Sequence, residues 1–365
     1  MRPVPAEQRP FVHGAYYPSW KIYRKQPPSC MDLDIITHVY YAFIRVREDG
    51  TIYHLDEHAD LHHPIPPGPP GCLPALTHLR ATTHPHLKLL LSLGGGSGSA
   101  PFPVLASSPT ARTTLATSLA AFVHLHALDG VDLDWEHPAS PADGTHFLAL
   151  LRALRDALPA PRYVLSAALP AGEWCLRNIP LAAVAEVLDY VNLMAYDFAG
   201  SWTAGRAGHH ARLFAGSEPY DAYAKRSGDG AVEYVLSKGV PPRKVVLGVP
   251  VYGRSFLGVR GPGEAFVGCG GEAGGVVEYR ELPREGAEEV VDEEVWGASC
   301  WVGGGGGGEE GKAEEWVSYD CPRTVREKAR YVRERGLGGL FYWTGVADKK
   351  GEGSLLRAGY EGLYG

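Results

Sequence analysis

Three acidic residues, each two positions from the next, lie in the segment DGVDLDWE, which ends at Glu136. Because side chains on a strand alternate between its two faces, Asp132, Asp134 and Glu136 point to one side and the apolar residues between them point to the other. Carboxyl groups at this spacing are about 7 Å apart, so their repulsion retains at least one proton near neutral pH. A protonated carboxyl beside an ionised one is suited to acid–base catalysis.

The position of Glu136 within its strand is set by the proline that follows. Pro138 has no N–H for a central strand, so Glu136 lies at the carboxyl end of its strand, where barrel proteins assemble their active sites. Asp129 lies an odd number of residues before Asp132 and is expected to form structural hydrogen bonds at the strand start. Two alternatives remain open: a solvated acidic strand end, and a hard-metal site for which Asp197 is the only obvious additional ligand.

The elements that carry this segment follow a βα rhythm. Short apolar runs rich in β-branched residues alternate with helical periodicity, as at 111–127 and 143–158. The eight candidate strands are 11–17, 36–44, 87–93, 130–135, 163–169, 190–194, 245–251 and 339–343. Eight strands favour a closed α/β fold, the (β/α)8 TIM barrel, over an open sheet.

The rhythm is lost between the seventh and eighth strands. Residues 256–325 contain glycine-rich turns, a short strand-like piece at 275–279 and six consecutive glycines at 303–308. We predict a small α+β insertion domain over 256–325, with the glycine run as a flexible loop. The barrel domain is then formed by residues 1–255 and 326–365.

Composition excludes several classes of protein. Of the 365 residues, 45% are hydrophobic and 21% are charged, which is typical of a globular protein, and 42 acids against 35 bases disfavour binding to nucleic acid or to an anionic membrane. No apolar run is long enough to span a membrane, and the first twelve residues lack the apolar stretch of a signal peptide. We therefore expect a cytoplasmic or non-classically released monomer, or an extracellular one if the sequence lacks its leader.

The cysteines do not suggest a metal centre. None of the six forms a C-x-x-C pair, so a zinc ribbon or a thioredoxin-type site is not expected. Buried free thiols are favoured over a local disulfide in the last third of the chain. No metal and no cofactor is predicted.

Several segments carry a family resemblance. DGVDLDWE resembles the D-x-x-D-x-D-x-E signature of glycoside hydrolase family 18, the chitinases, at all four acidic positions. KLLLSLGGG resembles the S-x-G-G segment of the third strand of that family, MAYD its sixth-strand motif, and GVPVYGRSF and Trp343 its seventh and eighth strands. The opening GAYYPSWKIY is most similar to the fungal chitinases. The resemblance extends from Tyr16 to Trp343.

The resemblance implies a chemistry for the acidic row. It implies a retaining chitinase that cleaves β-1,4 linkages between N-acetylglucosamine units of chitin and chitooligosaccharides, with the acetamido carbonyl oxygen of the sugar as nucleophile. Glu136 would protonate the glycosidic oxygen, Asp134 would orient the acetamido N–H, and Asp132 would share a proton with Asp134. The insertion would raise one wall of the cleft.

The resemblance also implies a surrounding set of residues. Tyr196 would hydrogen-bond the acetamido oxygen, Asp197 would contact the distorted sugar, and Trp343 would form the floor beneath it. The further candidates for contact with substrate are Tyr16, Trp20, Ser92, Met194, Trp202, Tyr252 and Arg254. Among these, core packing is the preferred role of Met194.

Two short motifs have simpler interpretations. The segment from Ser92 to Gly96 lacks the lysine of a phosphate-binding loop, so its glycines are interpreted as close packing near the barrel mouth. The adjacent His209 and His210 lie between glycine and alanine in a loop, and a surface or packing role is favoured over a metal pair.

Two functional alternatives remain. Inactive members of the fold family bind chitin as lectins, but these typically lack the glutamate found here as Glu136. Endo-acting glycosidases of N-glycans carry a similar acidic signature, but usually lack the insertion and the M-x-Y-D segment.

Overall fold

The computed structural model describes residues 10–203, 205–217, 226–303 and 314–365. Its strands are β1 (Val12–Pro18), β2 (His38–Val46), β3 (Ile52–His54), β4 (Lys88–Gly94), β5 (Gly130–Asp134), β6 (Val164–Pro170), β7 (Tyr190–Met194), β8 (Val245–Pro250), β9 (Tyr252–Leu257), β10 (Val276–Glu278), β11 (Glu289–Asp292), β12 (Gly297–Val302), β13 (Glu315–Tyr319) and β14 (Gly339–Trp343). Its α-helices are α1 (Cys72–Thr82), α2 (Phe102–Ser107), α3 (Pro109–Leu125), α4 (Pro141–Ala157), α5 (Glu173–Leu176), α6 (Leu181–Val187), α7 (Gly228–Ser237), α8 (Pro322–Glu334) and α9 (Leu355–Tyr364).

Eight parallel strands form a closed barrel. Their order is β1-β14-β8-β7-β6-β5-β4-β2, and pairing of β1 with β2 closes the ring, while β3 adds an antiparallel edge to β2. All eight predicted strands are present, with ends shifted by a few residues, so the predicted barrel is confirmed. Within the described residues no helix is long and apolar enough to cross a membrane.

The two helices predicted from periodicity correspond to α3 and α4. Each begins with a serine cap followed by proline: Ser108 accepts from the N–H of Ala111, and Ser140 accepts from the N–H of Asp143. The first crossover differs from the ideal pattern, because residues 19–37 form only two short 3-10 helices, Ser19–Arg24 and Pro28–Cys30. Two consecutive prolines, Pro27 and Pro28, oppose a longer helix there.

A second sheet follows the seventh barrel strand. Its order is β10-β9-β13-β12-β11, with antiparallel pairing throughout. It begins at Tyr252, so the predicted boundary at 255/256 falls within strand β9. The described residues 252–303 and 314–319 contain two 3-10 helices, Ala273–Gly275 and Tyr279–Glu281, and no α-helix. That this region forms a separate domain stays a prediction, and most of the glycine run lies outside the described residues.

Burial separates the two faces of the barrel strands. A small interior cluster that includes Tyr16, Tyr40, Leu90 and Phe341 fills the barrel, whereas a larger cluster packs between the barrel and its helices. All six cysteines are free thiols, and four of them are buried. This agrees with the preference for buried thiols.

Candidate active site

The acidic row lies at the carboxyl end of β5, the fourth barrel strand. Asp134 is the last residue of the strand, and Glu136 follows two residues later. Between them, Trp135 points away from the barrel axis and packs on Phe102 and Phe147, with ring centroids 5.4 and 6.1 Å apart. Asp134 and Glu136 therefore line one cavity of about 500 Å³.

Asp132 lies below this cavity, inside the barrel. Its fully buried carboxyl accepts hydrogen bonds from the hydroxyls of Tyr16, Ser92 and Ser166 at 2.7, 2.8 and 2.7 Å, and from the amide of Asn192 at 3.2 Å. Burial raises the pKa of Asp132, and the hydrogen bonds oppose that rise. Ser92 is a correction to the sequence analysis: its side chain is fully buried and contacts Asp132 rather than the cavity.

The two carboxyl groups at the cavity have raised pKa values. Burial raises the pKa of Asp134 well above its usual range, the charges of Glu136 and Asp132 add to the rise, and Arg45 opposes it. Burial also raises the pKa of Glu136, with a further contribution from the charge of Asp197. From the sequence, the retained proton is expected to result from repulsion within the row. In the structure burial is the larger cause, Asp134 and Glu136 also repel each other, and the charge of Asp197 adds to the rise at Glu136.

A glycine turn brings the end of β4 close to the acidic residues. Gly94 and Gly95 have φ values of +109° and +76°, and a Cβ on Gly94 would lie 2.3 Å from the carbonyl oxygen of Asp134. The N–H of Gly95 donates to that oxygen at 2.8 Å, and the N–H of Glu136 donates to Ser99 Oγ at 2.8 Å. The glycines thus permit the close packing that the sequence suggested.

Asp197 is held ionised on another side of the cavity. The guanidinium of Arg254 donates two hydrogen bonds to its carboxylate, both of 2.8 Å, and Nδ1 of the fully buried His210 lies 3.5 Å from Oδ1. Burial would raise the pKa of Asp197, but His210 and Arg254 outweigh it and hold that pKa well below the usual range. His209 and His210 are both buried, so of the surface and packing roles expected for them, packing is the one that the structure supports. The contact between His210 and Asp197 was not foreseen.

The remaining predicted contacts fall into two groups. Those that line the main cavity are Tyr16, Met194, Tyr196, Asp197, Trp202, Tyr252 and Trp343. Trp20 and Arg254 line an adjoining cavity of about 230 Å³. The Arg254 guanidinium also stacks 4.8 Å from the ring centroid of Trp202, which fixes this half-exposed indole beside Asp197.

Several side chains that line the main cavity were not predicted from the sequence, among them Phe43, His137 and Trp174. Phe43 stacks between Trp20 and Trp343, with centroids 6.1 and 5.7 Å apart, so these rings form one aromatic row. Phe43 could have been found, because it lies at the carboxyl end of the strand predicted at 36–44. Trp174 lies beyond the strand predicted at 163–169. Only the structure shows that its side chain is exposed and faces the cavity.

The described residues offer no metal centre: none of their His, Cys, Asp and Glu side chains form a group of three or more that could hold an ion. Asp197, the additional ligand considered from the sequence, is paired with Arg254 instead. The site is therefore a set of carboxyl, phenol and indole groups.

Paired carboxyl groups at the end of a barrel strand, facing an aromatic cavity, are typical of glycoside hydrolases built on this barrel. The model of the glycosyl hydrolases family 18 matches residues 13–348, and the chain belongs to that family.

Similar proteins agree with this assignment. The chain is 34% identical over 372 residues to chitinase 1 of the fungus Aphanocladium album. The aligned region covers 97% of this chain and 85% of that protein. It superposes on the Group IV chitinase of Ostrinia furnacalis with a TM-score of 0.85 at 27% identity, over 96% of this chain and 98% of the other. It also superposes on a second structure from that organism, a mutant of catalytic domain 2 of the Group II chitinase in complex with (NAG)5. The TM-score is 0.82 at 27% identity, over 94% of each chain.

Proposed function

We propose that the protein is a chitinase that hydrolyses β-1,4 linkages between N-acetylglucosamine units with retention of configuration. The observation that carries this proposal is the shared cavity of Asp134 and Glu136, both with raised pKa values, next to Tyr196 and Trp343. The site thus combines an acid whose pKa is raised by burial, a second carboxyl facing the same space, a phenol and an indole floor. These groups match the needs of an N-acetylated sugar.

In the first half of the reaction the sugar supplies its own nucleophile. Glu136 donates its proton to the glycosidic oxygen, the C1–O bond breaks, and the acetamido carbonyl oxygen bonds to C1 to form an oxazolinium ring. Asp134 acts in its ionised form, in which it accepts a hydrogen bond from the acetamido N–H and offsets the positive charge that develops. Its Oδ1 is buried without a hydrogen-bond partner among the described residues, so it is available for this contact.

In the second half Glu136 changes role. As a carboxylate it removes a proton from water, the water oxygen bonds to C1, and the ring opens to restore the acetamido group. Two inversions at C1 give net retention. Tyr196 would hold the acetamido oxygen during both steps. We also propose that Asp132 and Asp134 share a proton. This sharing requires the carboxyl of Asp134 to turn towards Asp132.

The test is Glu136→Gln, with Glu186→Gln as control, because Glu186 is exposed on α6 outside the cavity. We expect Glu136→Gln to fold and to bind chitooligosaccharides, but to release reducing ends from colloidal chitin and chitotetraose about 10²- to 10⁴-fold more slowly. Glu186→Gln should match the unmodified protein. Near-normal turnover by Glu136→Gln would remove Glu136 from the acid role.

The same assays separate the alternatives. A chitin-binding lectin would bind the oligosaccharides but release no reducing ends from colloidal chitin. An N-glycan endoglycosidase would cleave a high-mannose glycopeptide and leave chitotetraose intact. Loss of activity with a chelator would favour the metal alternative, whereas the proposed mechanism is insensitive to chelation because the acetamido group is the nucleophile.

A further inference from the structure

The main cavity continues into the second, smaller cavity. The two share Asp197, Tyr252 and Trp343, so a chain of sugars lying on Trp343 can extend from one into the other. Trp20 lines the second cavity and is joined to Trp343 by the stack through Phe43. The aromatic row therefore continues past the reacting position.

The walls of the second cavity come from two separate parts of the fold. The 3-10 helix Ser19–Arg24, which follows β1, contributes Trp20 and Lys21, while the second sheet and its turns contribute Glu272 and Glu278. Charged side chains of both signs thus face each other across this cavity.

These charges form a network that we call the charged clasp, consisting of Lys21, Arg24, Glu272 and Glu278. Lys21 Nζ contacts Glu278 Oε1, Arg24 lies 3.3 Å from the same oxygen, and Arg24 pairs with Glu272 at 2.5 Å. The side chains of Lys21 and Glu278 are only 13% and 10% exposed. Solvent and salt screen such a pair poorly, and separating it would take the nearly buried ammonium of Lys21 away from this carboxylate, whereas Glu278 would keep Arg24 and Arg280.

The size of the second cavity limits what it can hold. Pockets for drug-sized ligands measure about 300–1,000 Å³, whereas this one measures about 230 Å³. The space suits one sugar ring between Trp343 and the clasp. A longer chain would have to separate Lys21 from Glu278.

We propose that the charged clasp ends the substrate cleft on this side and thereby fixes the length of the product released there. One sugar occupies the reacting position on Trp343, one occupies the second cavity beside Trp20, and the chain ends at the clasp. The product released from this end is then a disaccharide. This inference rests on the proposed chitinase function.

The test compares the first products formed from chitohexaose by the unmodified protein and by Lys21→Ala, separated by chromatography at low conversion. The unmodified protein should give mainly disaccharide and tetrasaccharide. Lys21→Ala removes the more buried of the two cations of the clasp and leaves Arg24 in place, so it weakens the clasp. The trisaccharide fraction should rise about threefold, which needs only a modest change in relative affinity. Arg260→Gln is the control, because it removes an exposed ion pair of the second sheet that faces neither cavity.

A second variant covers the case in which Lys21→Ala does not fold. Glu272 is half-exposed, so Glu272→Ala should fold, and it should shift the products in the same direction by a smaller factor. An unchanged product ratio in the folded variants would overturn the clasp while leaving the chitinase proposal intact. Failure of the unmodified protein to cleave chitohexaose would overturn both.

Discussion

Replacing Ser92 by alanine separates a supporting role from a role in substrate contact. Ser92 Oγ donates to Asp132 Oδ2 at 2.8 Å, and both side chains are fully buried. A hydrogen bond to a charged group contributes about 1.5–3 kcal/mol. With an unfolding entropy of about 2.1 cal/mol/K per residue, a chain of 365 residues should lose about 2–4 °C in Tm. Loss of this donor also raises the pKa of Asp132 further.

The assay pairs thermal unfolding with steady-state kinetics on chitotetraose. Because Ser92 does not reach the cavity, KM should stay unchanged while Tm falls. Ser166→Ala should behave in the same way, since Ser166 donates to the other oxygen of Asp132 at 2.7 Å. Ser237→Ala on the exposed end of α7 should change neither quantity. An unchanged Tm with a raised KM for Ser92→Ala would refute the supporting role and restore the contact expected from the sequence.

Two further predictions concern the cavity. Asp197→Asn removes a charge that raises the pKa of Glu136, so Glu136 should lose its proton at lower pH. The basic limb of the pH profile of kcat/KM should therefore move to lower pH. A limb that stays in place or moves to higher pH would contradict this effect. Trp174 lines the main cavity, and an aromatic contact contributes about 0.5–1.5 kcal/mol. Trp174→Ala should therefore raise KM for chitohexaose by about 2- to 12-fold. Trp301 lies outside both cavities, so Trp301→Ala should leave KM unchanged.

The barrel was predictable because its strands carry strong local signals. Buried strands such as β4, with sequence KLLLSLG, are continuous apolar runs, and their order fits repeated βα units. The second sheet was not predictable in detail, because its strands are short and partly exposed. β11, with sequence EVVD, has no buried residue, and β9 begins only two residues after β8 ends.

Part of the candidate site could be predicted from the sequence and part could not. Alternation along β5 is a local property, so the common orientation of Asp134 and Glu136 could be predicted from the sequence. The contact of Ser92 with Asp132 joins residues 40 positions apart, and that of His210 with Asp197 joins two residues of the segment between β7 and α7, which has no helical or strand periodicity. No periodicity in the sequence encodes such contacts, so only the folded structure could identify them.

The central claim is that the acetamido group of the substrate is the nucleophile and that Asp134 orients it. The most direct test measures kcat/KM for aryl disaccharide glycosides whose reacting sugar carries an N-acetyl, N-fluoroacetyl, N-difluoroacetyl or N-trifluoroacetyl group. Each fluorine withdraws electrons from the carbonyl oxygen and weakens it as a nucleophile. If the acetamido oxygen attacks C1, kcat/KM falls at every step of the series, whereas a flat series would contradict that role of the acetamido group.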